Sequence, residues 1–200
     1  MDPISSPEVP ASEFSHQHRL VLNALAWDSI QHGLSEGVEI DVVLDELDTP
    51  LQQLRGSFIT LKRKGELRGC VGTIDPQRPL VQDVAKNAYG AAFKDPRFPP
   101  LNVIEFTKLE LAISVLSHAV QMSFTSEEEL LQQIRPRVDG LILTENRHRG
   151  TFLPAVWESL RDPRDFLVQL KKKAGLPAHY WSDSIRVERY TTESWIADTI

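Results

Sequence analysis

One cysteine, two methionines and the lack of any long apolar run stand out in this 200-residue chain. A lone cysteine cannot close a disulfide within the chain, which suits a reducing compartment. No stretch approaches the ~18 apolar residues of a membrane span, and the N-terminus lacks the basic-then-apolar order of a secretion signal. These absences predict a cytoplasmic protein with no membrane partner. A formal charge of −6 and a pI near 5.5 speak against broad attachment to nucleic acid, which needs several basic contacts on one face.

Metal and cofactor motifs are missing too. There is no Cys-x-x-Cys or His-Glu-x-x-His, and His16 and His18, two residues apart, fall on different faces of a helix. Asp41, Asp45, Glu46 and Asp48 lack the glycine pattern of a calcium loop. Gly69-Cys70-Val71-Gly72 lacks the Gly-Lys-Ser/Thr ending of a phosphate loop, no dinucleotide fingerprint occurs, and no serine sits in a nucleophile elbow. The sequence therefore implies no metal site and no cofactor.

What is present is an ordinary globular composition, 41% hydrophobic and 25% charged, in a length that suits one domain or two small lobes. Residues 1–14 hold three prolines and three serines with few large apolar side chains and read as a mobile tail ahead of a domain over 15–195. Leu22, Leu25, Ala26, Trp27 and Ile30 recur at helical spacing, with Gly33 placed to stop the helix. Residues 57–62 and 66–74 alternate about Arg63-Lys64-Gly65 as a β-hairpin. A helix follows from Leu80 to Phe93 with Val81, Ala85, Ala88 and Ala92 on one stripe, and a half-buried strand over 109–115.

Ser126 and Glu129 spell a capping box for a short helix that Pro136 closes. Residues 138–144 and 150–153 pair about a polar loop, 145–149. Asp162-Pro163 opens a helix ending at Gly175, and 185–190 is a final strand. The basic runs Lys62-Arg63-Lys64 and Lys171-Lys172-Lys173 read as a hairpin tip and a helix C-terminus, where cations suit the dipole. Hairpins and helices are segregated, so the chain reads as α+β with a mainly antiparallel sheet and flanking helices.

The candidate site centres on Leu67-Arg68-Gly69-Cys70-Val71-Gly72-Thr73. Alternation places Arg68, Cys70 and Gly72 on one strand face. Two glycines in a strand give up packing and backbone order, which implies that something approaches the backbone closely there. A guanidinium fork at Arg68 suits a carboxylate or phosphate, with Gly69 and Gly72 opening backbone N–H groups to it; the alternative is an ion pair with Asp95 or another carboxylate. Cys70 is a candidate nucleophile, Arg68 the cation that would favour its thiolate and His148 a weak candidate base if the two hairpins face each other. The alternative is a small buried hydrophobe. Asp95 and Arg97, rigidly presented by the triple-proline segment 95–100, are candidate ligand-binding residues; the alternative is that the prolines merely fix the loop while Phe98 plugs the core. Arg147-His148-Arg149 reads as an exposed basic hairpin tip.

The same heptapeptide, together with Ala92-Phe93-Lys94-Asp95-Pro96-Arg97-Phe98-Pro99-Pro100, Val138-Asp139-Gly140-Leu141, Gly150-Thr151-Phe152-Leu153-Pro154 and Lys173-Ala174-Gly175-Leu176-Pro177, resembles the AMMECR-one domain family, called AmmeMemoRadiSam system protein A in prokaryotes. The resemblance implies an α+β fold of two unequal lobes, the larger built from both chain ends, with a cleft, and with Memo-type and radical-SAM proteins as partners. Two functions follow from it and from the residues. One is a component of a multi-protein modification system acting on a small anionic or peptidyl substrate at Arg68-Gly69-Cys70. The other is a non-catalytic binding or adaptor module, with Trp181 or Tyr180 as aromatic anchors.

Overall fold

Ser15 starts the first helix, α1 (His16–Glu36): its hydroxyl accepts the His18 N–H at 3.2 Å while His18 Nδ1 accepts the Ser15 N–H at 3.3 Å. The helix runs one turn past Gly33 and stops at Gly37, whose φ of 76° supplies the left-handed cap. Gly33 lies inside the helix instead of ending it. A Cβ there would stand 2.4 Å from the Phe93 ring, so this glycine lets α1 close on the helix beneath it.

A computed structural model describes the protein over residues 12–45 and 47–198, and the chain divides into two compact units, 1–113 with 195–200, and 114–194. Most of the tail expected over 1–14 lies outside the described residues. Phe14 does not belong to it, being buried against Trp195.

In the first unit, β1 (Ser57–Arg63) and β2 (Glu66–Gly72) form the expected antiparallel hairpin. Lys64 and Gly65 both take positive φ, 54° and 79°, as its two-residue turn requires. Helix α3 (Leu80–Phe93) buries the whole stripe Val81, Ala85, Ala88 and Ala92. At its start a buried polar cluster fixes it to β1: Asp83 Oδ2 accepts the Ser57 N–H at 2.9 Å, the Ser57 hydroxyl at 2.8 Å and Asn87 Nδ2 at 2.8 Å. The Ser29 hydroxyl of α1 donates to Ala85 O at 2.7 Å, so α3 is bonded to both neighbours. Two short helices, α2 (Thr49–Gln52) and α4 (Val103–Phe106), had no signal in the periodicity because four residues span barely one turn.

The sheet order is β2-β1-β3-β8, where β3 is Leu109–Leu116 and β8 is Thr192–Ala197. Strand β8, and not the strand before it, is the last of the described residues. Its mixed exposure hides the alternation that marks β3. Indole N–H groups tie this end down: Trp195 donates to Asn23 Oδ1 at 2.8 Å, and Trp27 donates to Asp198 O at 2.9 Å.

The second unit has its own sheet, β4-β7-β5-β6, with β4 at Val120–Gln121, β5 at Gly140–Glu145, β6 at His148–Phe152 and β7 at Arg186–Tyr190. Leu141, Leu143 and Val187 from this sheet meet Phe166, Leu167 and Leu170 of α6 (Pro163–Lys173) and Leu130 of α5 (Glu127–Gln133) in a single core. Ser126 caps α5 through the Glu129 N–H at 3.1 Å, but Glu129 turns to the Thr125 N–H and hydroxyl at 2.7 and 2.8 Å, so the reciprocal half of the box goes one residue upstream. The β5–β6 turn is Asn146-Arg147 alone, which puts Glu145, His148 and Arg149 in strands and not in a loop. Together the two sheets and their helices make an α+β fold with antiparallel pairing, as expected.

Candidate functional site

Gly69 decides which way β2 faces. A Cβ on it would lie 2.1 Å from the Ala91 carbonyl oxygen, so the backbone of β2 is in direct contact with α3 at this point. Strand alternation then turns Cys70 to the opposite face, whereas Arg68 sits at a bulge, unpaired where the register with β1 shifts between Leu61 and Lys62. The close approach implied by the glycines is therefore made by the protein itself. At Gly72 the Phe58 ring, on its cross-strand partner, fills the space at 2.2 Å, so neither glycine is left open for a ligand.

Arg68 is committed to a carboxylate, and that carboxylate is Glu105. Its side chain is 9% exposed; Nε donates to Glu105 Oε1 at 2.9 Å and Nη2 to Oε2 at 3.0 Å, with Pro99 O accepting from Nη2 at 2.9 Å. Nη1 is buried with no hydrogen-bond partner. Glu105 is held by Asn102, whose side chain caps α4 and also donates to Oε2 at 2.8 Å. The Arg68 guanidinium holds the Glu105 carboxyl below its ordinary range. The sequence reading missed Glu105; the signal available for it was the Asn102-x-x-Glu105 cap.

Asp95 serves the strand and its own loop. Oδ2 accepts the Cys70 N–H at 2.8 Å, and Oδ1 accepts the Arg97 N–H at 3.1 Å and Arg97 Nε at 2.9 Å. Arg97 Nη2 donates to Asp95 Oδ2 at 2.6 Å and to Cys70 O at 3.2 Å, so the proline-rich segment is laced to both backbone groups of the cysteine. The guanidinium beside it pushes the Asp95 carboxyl far below the usual range, and the carboxylate in turn raises Arg97. Arg97 keeps 54% of its side chain exposed. Phe98 is half-buried, with the Arg68 and Arg97 guanidinium carbons 5.7 and 5.6 Å from its ring centre, and so joins this cluster instead of plugging the core.

The Cys70 thiol is half-buried, and its Sγ lies 3.3 Å from the hydroxyl of Thr60, its cross-strand partner. Arg68, Cys70, Asp95 and Arg97 thus form one connected cluster in the first unit. His148 belongs to the second. Its Nδ1 lies 3.1 Å from Ala174 O, and since a carbonyl only accepts, Nδ1 carries the proton and Nε2 is the basic nitrogen of the neutral ring. Ala174 also packs against Gly150, where a Cβ would meet its nitrogen at 2.8 Å. Of the aromatic candidates, Tyr180 donates its hydroxyl to Glu145 at 2.9 Å, and Trp181 packs on the core of the second unit with Lys171 Nζ 5.5 Å from its ring centre. No group of three or more His, Cys, Asp or Glu side chains with metal-site geometry occurs among the described residues. No described helix is long and apolar enough to cross a membrane.

Two antiparallel sheets with flanking helices, and a Leu-Arg-Gly-Cys-Val-Gly strand braced by a proline-rich loop, define the class of protein. The AMMECR1 family profile matches residues 23–195. A protein of Methanothermobacter thermautotrophicus is 36% identical over 156 residues, which are 77% of this chain and 81% of its own. Protein PH0010 of Pyrococcus horikoshii is 35% identical over 182 residues, 84% of each chain. Its crystal structure, titled that of an uncharacterized protein, matches this fold with a TM-score of 0.75 at 33% identity, covering 88% of this chain and 90% of that one. The chain belongs to the AMMECR1 family.

Proposed function

We propose that the protein is a binding module whose β1–β2 face, around Cys70, receives a peptide or small anionic group, within a multi-protein modification system that includes Memo-type and radical-SAM proteins. The observation that carries this reading is the division of labour in the cluster. Its carboxylates are spent on structure, Glu105 on Arg68 and Asp95 on Arg97 and the Cys70 N–H. Its cationic donors are not all spent, because over half of the Arg97 side chain is exposed. A half-buried thiol and a threonine hydroxyl complete the surface. Such a patch recognises carbonyl, carboxylate or phosphate oxygen without needing a general base.

Calorimetric titration of the Memo-type and radical-SAM proteins into wild type, Arg97→Ala and Cys70→Ser tests the reading. Arg97→Ala removes the exposed charge together with the side-chain bonds to Asp95 and Cys70 O, while the Asp95 carboxylate still accepts the Cys70 N–H and the backbone N–H at position 97, so a melting curve of the variant accompanies the titration. We expect it to weaken binding by about tenfold or more, whereas Cys70→Ser binds nearly as wild type. Loss of binding or turnover in Cys70→Ser alone, with a thiol that alkylates rapidly below neutral pH, would replace the module with an enzyme using Cys70 as nucleophile.

A further inference from the structure

Two of the sequence blocks that mark the family, Val138-Asp139-Gly140-Leu141 and Gly150-Thr151-Phe152-Leu153-Pro154, take no part in the Cys70 cluster. Both border one cleft of about 530 Å³ in the second unit, lined by Arg137, Pro154, Trp157, Glu158, Arg161 and Thr192. Arg137 immediately precedes the first block, and Pro154 ends the second. The first block is tied to the segment that follows the second, for the buried Trp157 indole donates to Asp139 O at 2.7 Å.

The turn before β5 is built to project Arg137. The fully buried Asp139 carboxylate accepts the Arg135 N–H at 2.9 Å and Arg135 Nη2 at 2.6 Å, and the Asp139 N–H returns to Arg135 O at 3.0 Å. Inside this closed loop Arg137 takes φ of 67°, a left-handed backbone that disfavours any residue with a Cβ. An arginine standing where glycine would be free of strain indicates a use for its side chain. The guanidiniums of Arg137 and Arg161 are exposed, and neither has an ion pair or hydrogen bond among the described residues. Glu158, the single carboxylate of the lining, pairs with neither.

We infer that this cleft is a second binding site, independent of Cys70, for a small molecule carrying a phosphate or carboxylate group that Arg137 and Arg161 grip from two sides. A guanidinium offers a planar pair of donors that matches either oxyanion, and two of them around a concave wall outweigh the one carboxylate.

Arg137→Gly provides a clean test, because it removes the guanidinium and the backbone strain together. Inorganic phosphate and citrate are titrated separately into wild type, Arg137→Gly, Arg161→Ala and, as a control at an exposed cation of the other unit, Lys108→Ala, with binding read by Trp fluorescence and by the rise in melting temperature over sodium chloride of equal ionic strength. Saturable binding of one anion by wild type and Lys108→Ala is expected, weakened at least about tenfold in Arg137→Gly and Arg161→Ala while Arg137→Gly melts no lower than wild type without anion. Which anion binds tells phosphate from carboxylate recognition. Equal affinity in all four proteins, or no effect of either anion beyond that of chloride, overturns the site.

Discussion

Gly69 leaves no room for a side chain, because the atom it would meet is backbone, Ala91 O at 2.1 Å, and α3 cannot retreat without unseating its buried stripe. Gly69→Val should therefore destabilise the protein by roughly 3 kcal/mol, toward the top of the overpacking range. Gly65 offers the contrast. Nothing lies within 4 Å of a Cβ there, but φ is 79°, so Gly65→Ala should cost only the left-handed penalty, about 1 kcal/mol. Urea unfolding of both variants reads the difference, and equal losses would show that β2 and α3 can separate at Gly69. The Asp95 carboxyl supplies a pH signature. Its folded value lies below the ordinary one of about 4, so the stability it contributes is present above that value and drains away as pH falls through the lower folded one. Melting temperature should thus decline below about pH 4, and less steeply in Asp95→Asn. Parallel profiles would mean that the Arg97 pair adds nothing to folding.

At the scale of elements, legibility followed how many residues carried each signal. The fourteen-residue α3 declared itself by a four-point apolar stripe, and all four points are buried. Boundaries resting on one residue were weaker. Gly33 reads equally as a stop or as a packing gap, and only Tyr89 and Phe93, more than fifty residues on, decide for the gap. The strand itself was legible, but the bulge at Arg68 interrupts the alternation from which a face shared with Cys70 was expected. The Glu105 partner was not legible, since nothing local relates residues 37 apart. Lys171 is the sharpest case. A triple-lysine run at a helix end reads as solvated charge, yet Lys171 is fully buried, donating to Glu127 Oε2 at 2.9 Å beside the Trp181 ring. Lys171 lies one residue after the buried Leu170 and four after the buried Leu167, on the face that α6 turns to the core. Glu127→Gln should leave that ammonium without its counter-charge and cost roughly 3 kcal/mol, while Lys171→Met in the same background should recover much of the loss. Thermal melts of the single and double variants form the check, and additive losses would count against the pair.

At the scale of the whole molecule, the second unit is one uninterrupted stretch, 114–194, with its own sheet and core. Expressed alone, this stretch should melt cooperatively with a circular-dichroism spectrum of mixed helix and strand, though at a lower temperature than the full chain, since eighty or so residues bury proportionately less surface. A non-cooperative melt would show that its fold depends on the rest of the chain.

The two indole bonds that fasten residues 195–198 to α1 join positions 171 and 172 apart. On the ribosome the order of arrival is fixed: α1 emerges early, all of 114–194 follows, and Trp195 comes only afterwards. The second unit can complete itself while translation continues, whereas the first must hold its opening helix in waiting until that tryptophan is made. A stalled or prematurely terminated chain would therefore release α1 with the apolar surface around Asn23 and Trp27 uncovered, the kind of nascent surface to which chaperones bind.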